Sequence, residues 1–214
     1  MISLSIFLKI FVPVFIVVIY PGPCVLSYGN IAMNYGYKKG YAGVLGCFTV
    51  EFIYWLICIF ALNSAKSALS PFATNLLAIF AGLFLMYMAY DFLRTDTSKL
   101  NVPNIKNNSL AIYLKFLLIT ASNPIAIIGY AGIYMAIDNI KEHAVAILIS
   151  SVVASLTAHS IVVLCSGTLG KVLLKSKSNG KIFRIINILS AICISGYALI
   201  EVLIPTIKSI IKTM

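Results

Sequence analysis

The chain has 214 residues, of which 61% are hydrophobic and 10% charged, and its mean hydropathy is +1.01. A soluble domain of this length would carry roughly 25% charged residues, so a soluble globular fold is excluded and a polytopic membrane protein is indicated. The net charge of +10 does not point to nucleic acid, because the basic residues fall mostly in short connections between apolar runs and no basic groove interleaves with exposed aromatics.

In chain order, a first apolar helix is expected over residues 4–34, interrupted by Pro21-Gly22-Pro23. Thirty-one helical residues would measure roughly 45 Å, more than a hydrocarbon core of about 30 Å accepts without tilt or a break. Each proline removes a backbone donor and clashes with the carbonyl one turn back, so two half-helices meeting near the midplane are expected. No basic n-region or A-x-A-like site precedes Pro21, so the segment reads as a retained helix. Residues 35–41 form a short turn with Lys38 and Lys39, and a second helix spans 41–62 with Glu51 about halfway along. Gly36, Gly40, Gly43 and Gly46 line its entrance, a spacing that lets helices approach closely. Residues 63–71 are a polar link with Lys66, and a third helix spans 72–93, ending near Asp91 and Arg94, which read as a surface pair.

The longest polar stretch, TDTSKLNVPNIKNNS, divides the chain nearly in half. A fourth helix over 110–137 is interrupted by Ser122-Asn123-Pro124, again near its centre. After a charged turn at 138–143, a fifth helix spans 144–165 and carries His159. A basic loop at 166–184 leads to a sixth helix over 185–204, which contains Glu201, and Pro205 opens a short tail. The fold class is therefore all-α, six transmembrane helices arranged as one domain over 1–214. Its two repeats cover about 1–95 and 110–214, joined by a linker at 96–109. Three helices per half give the halves opposite orientation in the membrane, an inverted repeat.

Of the sixteen basic residues, eleven lie in or beside the loops after helices one, three and five. Lys9, Lys66, Lys141, Lys208 and Lys212 lie on the other side. The positive-inside rule then places both termini outside the cytoplasm of a cell membrane, plasma or inner.

Interrupted helices at corresponding positions of two halves point to a transporter's substrate site. Pro23 and Pro124 each suit the first position of an outgoing half-helix, with Asn123 as an N-cap. The freed N–H groups and positive dipole ends favour an anionic group, and the freed carbonyls of the preceding half-helices an ammonium. The substrate-binding candidates are therefore Pro21, Gly22, Pro23, Ser122, Asn123 and Pro124. Glu51 and His159 are the deepest ionisable groups and the candidates for proton or ion coupling.

These stretches resemble a known family. Pro21-Gly22-Pro23 followed by YGYKKGYAGVLG, then NLLAIFAGLFLMYMAYDFLR and FLLITASNPIAIIGYAGIY, are similar to the LysE/RhtB family of amino-acid exporters over nearly the whole chain. The resemblance implies a secondary exporter of amino acids or similar small metabolites, driven by the proton gradient. Ile125 stands where the family usually has lysine after Asn-Pro, which leaves the substrate open.

Two other readings compete. An exporter of a metal cation or another solute lacks a midplane cluster of carboxylates or thiolates. A membrane thiol oxidoreductase would use Cys24, which follows Pro23, but needs a second thiol, and the fourth helix holds no cysteine. The five scattered cysteines read as small buried hydrophobes. No nucleotide, flavin, haem, metal or nucleophile signature is present, so no cofactor and no enzymatic activity are expected. The expected partners are an amino acid, protons and the lipid bilayer, with a homo-oligomer left open.

Overall fold

The computed structural model describes residues 4–20, 23–94, 108–173 and 179–213. Pro21, Gly22 and most of the linker after the third apolar run lie outside the described residues. Apart from short connections, the described residues are helical: α1 (Leu4–Ile19), α2 (Pro23–Tyr35), α3 (Tyr37–Ala68), α4 (Pro71–Arg94), α5 (Ser109–Ala121), α6 (Pro124–Met135), α7 (Ile140–Leu173) and α8 (Asn179–Tyr197). A π-helical turn, Ala198–Leu203, then leads into α9 (Ile204–Thr213). Four helical segments are long and apolar enough to cross a membrane, and up to six if each bent pair is one span.

Several boundaries differ from the expectation, each for a local reason. The lysine-bearing turn before α3 shrinks to Gly36, whose φ of 89° is the left-handed region that glycine enters without penalty. Lys38 and Lys39 instead lie in the first turn of the helix. The polar link at 63–71 is mostly helix too, because Asn63 to Ala68 contains neither glycine nor proline, and α3 stops only before Pro71. Pro205 does not end the sixth apolar run, since the π-helical turn before it changes the bonding pattern and α9 continues through it. Pro13 also lies inside α1, where it removes one backbone bond without ending the helix.

The bundle is inside-out relative to a soluble protein. Its outer shell is apolar, with Phe60, Phe72, Phe80, Leu83, Ile192 and Ile200 all well exposed, while Ser150, Ser151, Ser155, Glu51 and His159 are buried. That distribution suits a hydrocarbon solvent, where polar groups gain by facing one another. α3 and α7 pack together at the centre, α4 packs on α8, α1 and α2 pack on α7, and α5 and α6 pack on α3. The close fit of α3 against α5 depends on Gly46. A Cβ there would lie 2.9 Å from the Leu117 nitrogen and 3.0 Å from Phe116 Cβ. Gly43 likewise admits the Phe116 ring, since a Cβ at that position would lie 3.2 Å from Cδ2.

The expected consequence is position-specific. Gly46→Ala should lower the melting temperature of the purified protein, at a cost of about 1–3 kcal/mol for overpacking. Gly196→Ala, where a Cβ meets nothing within 4 Å, should leave it unchanged or raise it, since alanine favours the helix by about 0.5–1 kcal/mol. Equal melting of the two variants would contradict the packing described.

Candidate functional site

The two proline-marked breaks begin the site. α2 starts at Pro23 and α6 starts at Pro124, so each proline occupies the first helical position, where its missing N–H has no intrahelical partner to lose. α1 and α2 meet at 67°, and α5 and α6 at 60°. Cys24, one residue into α2, places its Sγ 3.9 Å from the Thr120 hydroxyl near the end of α5. The two breaks, about a hundred residues apart in sequence, therefore lie side by side.

Local hydrogen bonds determine which backbone groups at the second break are free. Ser122 Oγ donates to the Leu118 carbonyl at 2.8 Å, and the Tyr54 hydroxyl donates to the Ala121 carbonyl at 2.9 Å. The Leu118, Thr120 and Ala121 carbonyls at the end of α5 thus each already accept a hydrogen bond from a nearby side chain, where the sequence left them open for an ammonium. The reason is that α3 passes the break with a long phenolic side chain at the right height, a coincidence that sequence spacing does not reveal. Asn123 precedes α6, its carbonyl accepting from Ala126 N at 3.3 Å, and Ser122 and Asn123 are both exposed.

One helical turn beyond Cys24, Tyr28 carries the site into the core. Its hydroxyl is 2.9 Å from Nδ1 of His159, and Nε2 of the same ring is 3.4 Å from Glu51 Oε2. Ser155, one turn before His159 on α7, donates to that same Oε2 at 2.6 Å. Glu51 is 7% exposed, His159 2% and Tyr28 and Ser155 fully buried. The result is a closed polar chain, Tyr28–His159–Glu51–Ser155, that ties α2, α3 and α7 together inside an apolar bundle.

The chemistry of the chain follows from its donors and acceptors. When Tyr28 donates to Nδ1, the neutral imidazole carries its hydrogen on Nε2 and presents it to the carboxylate. The carboxylate thus has hydrogen-bond donors in both Ser155 and the imidazole, so a buried charge on it is not left without a partner. Tyr130 on α6 also borders the carboxyl and packs edge-on against Trp55, ring centroids 5.8 Å apart.

Glu51 and His159, named separately from the sequence, are thus direct neighbours, and Cys24 joins Pro23's break to Pro124's. Pro21 and Gly22 lie outside the described residues. Tyr28, Thr120 and Tyr54 were missed by sequence reasoning, although Cys24–Tyr28 and Glu51–Tyr54 spacings, four and three residues on a helix, place each on a shared face. Arg94 donates to the Tyr90 hydroxyl at 3.3 Å. Glu201 is ion-paired to Lys9 at 2.6 Å. Among the described residues no group of three or more His, Cys, Asp or Glu side chains is placed to hold a metal ion. Cys24 does have a thiol neighbour, Cys47 on α3, rather than in the fourth apolar run where a redox partner was sought.

A family model, the LysE type translocator, matches residues 15–203. No curated protein and no solved structure matches the chain. The match covers nearly all of the sequence, both breaks and the buried chain included, and it sets the thiol-oxidoreductase reading aside despite the Cys24–Cys47 contact. The protein accordingly belongs to the LysE type translocator family and is a multi-pass membrane exporter of amino acids or similar solutes, not an enzyme.

Proposed function

We propose that this translocator is a proton-coupled secondary exporter of amino acids, with substrate held at the adjoining helix breaks and the proton carried by Glu51 and His159. The observation that carries this reading is the buried Tyr28–His159–Glu51–Ser155 chain, which begins one helical turn from the first break. The helix that starts at the first break, α2, thus touches the proton-carrying pair on α3 and α7 through Tyr28, and a change at either site is felt at the other.

The N–H groups at the starts of α2 and α6 suit the carboxylate of an amino acid. With the Leu118 and Ala121 carbonyls already bonded by Ser122 and Tyr54, the ammonium is assigned to the Glu51 carboxyl, buried in the chain that begins one helical turn from the first break. Proton and ammonium then compete for the same carboxyl. Protonation of Glu51 from the outside weakens the hold on the ammonium, and deprotonation towards the cytoplasm restores it, which is antiport with the proton moving inward as substrate moves out.

An inverted repeat is supported by how the pairings interchange. α5 packs on α3 as α1 packs on α7, and α6 packs on α3 as α2 packs on α7, with the α3–α7 and α4–α8 contacts each pairing equivalent helices. Each bent pair, α1–α2 and α5–α6, then counts as one span, giving six in a single domain. The distribution of Lys and Arg orients both termini outside the cytoplasm of the cell membrane.

The reading is tested in proteoliposomes by counterflow of labelled amino acids. Wild type should show saturable exchange of one class, and Asn123→Ala should raise its half-saturation concentration. Glu51→Gln should raise the half-saturation concentration for exchange and lose at least tenfold in accumulation driven by a pH gradient, and normal accumulation would remove the carboxyl from the mechanism. Tyr28→Phe, which deletes one hydrogen bond worth about 1 kcal/mol, should reduce gradient-driven accumulation roughly fivefold and shift its pH profile. An unshifted profile would reduce Tyr28 to a packing role.

A further inference from the structure

A second polar site lies at the opposite end of α3 from Gly36. There the end of α3, the start of α4 and the connection between α6 and α7 enclose an open cavity of about 450 Å³, lined by Asn63, Lys66, Thr74, Asn75, Asp138 and Asn139 among others. Its volume lies within the range typical of small-molecule sites, roughly 300–1,000 Å³.

The wall chemistry is specific. Lys66 Nζ donates to the Met135 carbonyl at 3.1 Å, at the end of α6, and to the Ile137 carbonyl at 2.7 Å, just beyond it. An ammonium has three N–H donors, so one remains for a ligand, and the two carbonyls hold the side chain at the cavity wall. Asp138 is exposed on the same wall, close enough to Lys66 to interact electrostatically, yet it makes no hydrogen bond or ion pair among the described residues. The Thr74 hydroxyl is buried and likewise has no partner among the described residues, and Thr74 is one of the residues that line the cavity. A buried hydroxyl of this kind forfeits a hydrogen bond unless water or a ligand supplies it. One anchored cation, one unpaired carboxylate and a spare hydroxyl, with carboxamides between them, complement a molecule that carries both charges.

We propose that this cavity binds a zwitterion, its ammonium at Asp138 and its anionic oxygens at Lys66 and Thr74. The proposal rests on the transport reading for its role, a subsite at the face opposite the lysine-rich loops where substrate leaves. The same chemistry is offered by a free amino acid and by the phosphoethanolamine headgroup of a membrane lipid.

The test is equilibrium dialysis of the purified full-length protein against millimolar radiolabelled amino acids in one arm and radiolabelled glycerophosphoethanolamine in the other. Wild type is expected to bind one of the two probes. Asp138→Asn and Thr74→Val, both away from the packed core, are expected to lose one bound equivalent per chain, at least a tenfold weakening, while Glu51→Gln retains that equivalent. The arm that shows the loss identifies the source. Binding of neither probe by wild type, or variants that bind as wild type does, overturns the proposal. An equivalent lost in these variants but accompanied by no counterflow in wild type ends the exporter reading and leaves the cavity site standing. Counterflow with no such equivalent does the reverse.

Discussion

A carboxyl placed inside an apolar bundle must be matched or neutralised, and the arrangement of this protein follows from how Glu51 is matched. Its partners come from α7, through Ser155 at 2.6 Å and His159 at 3.4 Å, and at one remove from α2, through Tyr28. An isolated ionised carboxylate would be prohibitively costly there, so the acid constrains three helices at once. Breaking one side of such a buried pair costs about 3–5 kcal/mol, whereas a proton added to it changes the charge without removing a partner. The unit is stable against mutation of its geometry only at high cost, yet open to protonation. That combination supports the coupling role proposed for Glu51 and His159.

The second constraint is the backbone. Proline at the first position of α2 and of α6 leaves each incoming half-helix with unpaired carbonyls and each outgoing one with unpaired N–H groups. At the second break the carbonyls are engaged by Tyr54 and Ser122, while the N–H ends remain the chemically distinctive feature. Cys24 beside Thr120 brings the two breaks together, and the glycines at 43 and 46 let α3 come close enough to α5 for Tyr54 to reach the break. Packing, capping and placement of the acid thus depend on the same stretch of α3.

Much of this was legible in the sequence, for physical reasons. Long apolar runs and the rarity of charge are local signals that gave the helical class, and the resemblance of the proline- and glycine-marked stretches gave the translocator family. Glu51 and His159 stood out because an ionisable group in an apolar run is expensive. Their contact was not legible, since it joins residues 108 apart and no periodicity records it. Tyr28 looked like one aromatic among twelve tyrosines. The π-helical turn at Ala198–Leu203 and the capping of α5 by Tyr54 arise where tertiary packing decides between locally similar alternatives.

The central claim is that substrate and proton move in opposite directions through one site. The direct measurement is the internal pH of proteoliposomes loaded with substrate and a pH-sensitive dye, with membrane potential clamped by potassium and valinomycin. As substrate flows out down its own gradient, the interior should acidify in wild type and not in Glu51→Gln. Substrate efflux from wild type at unchanged internal pH would contradict the account.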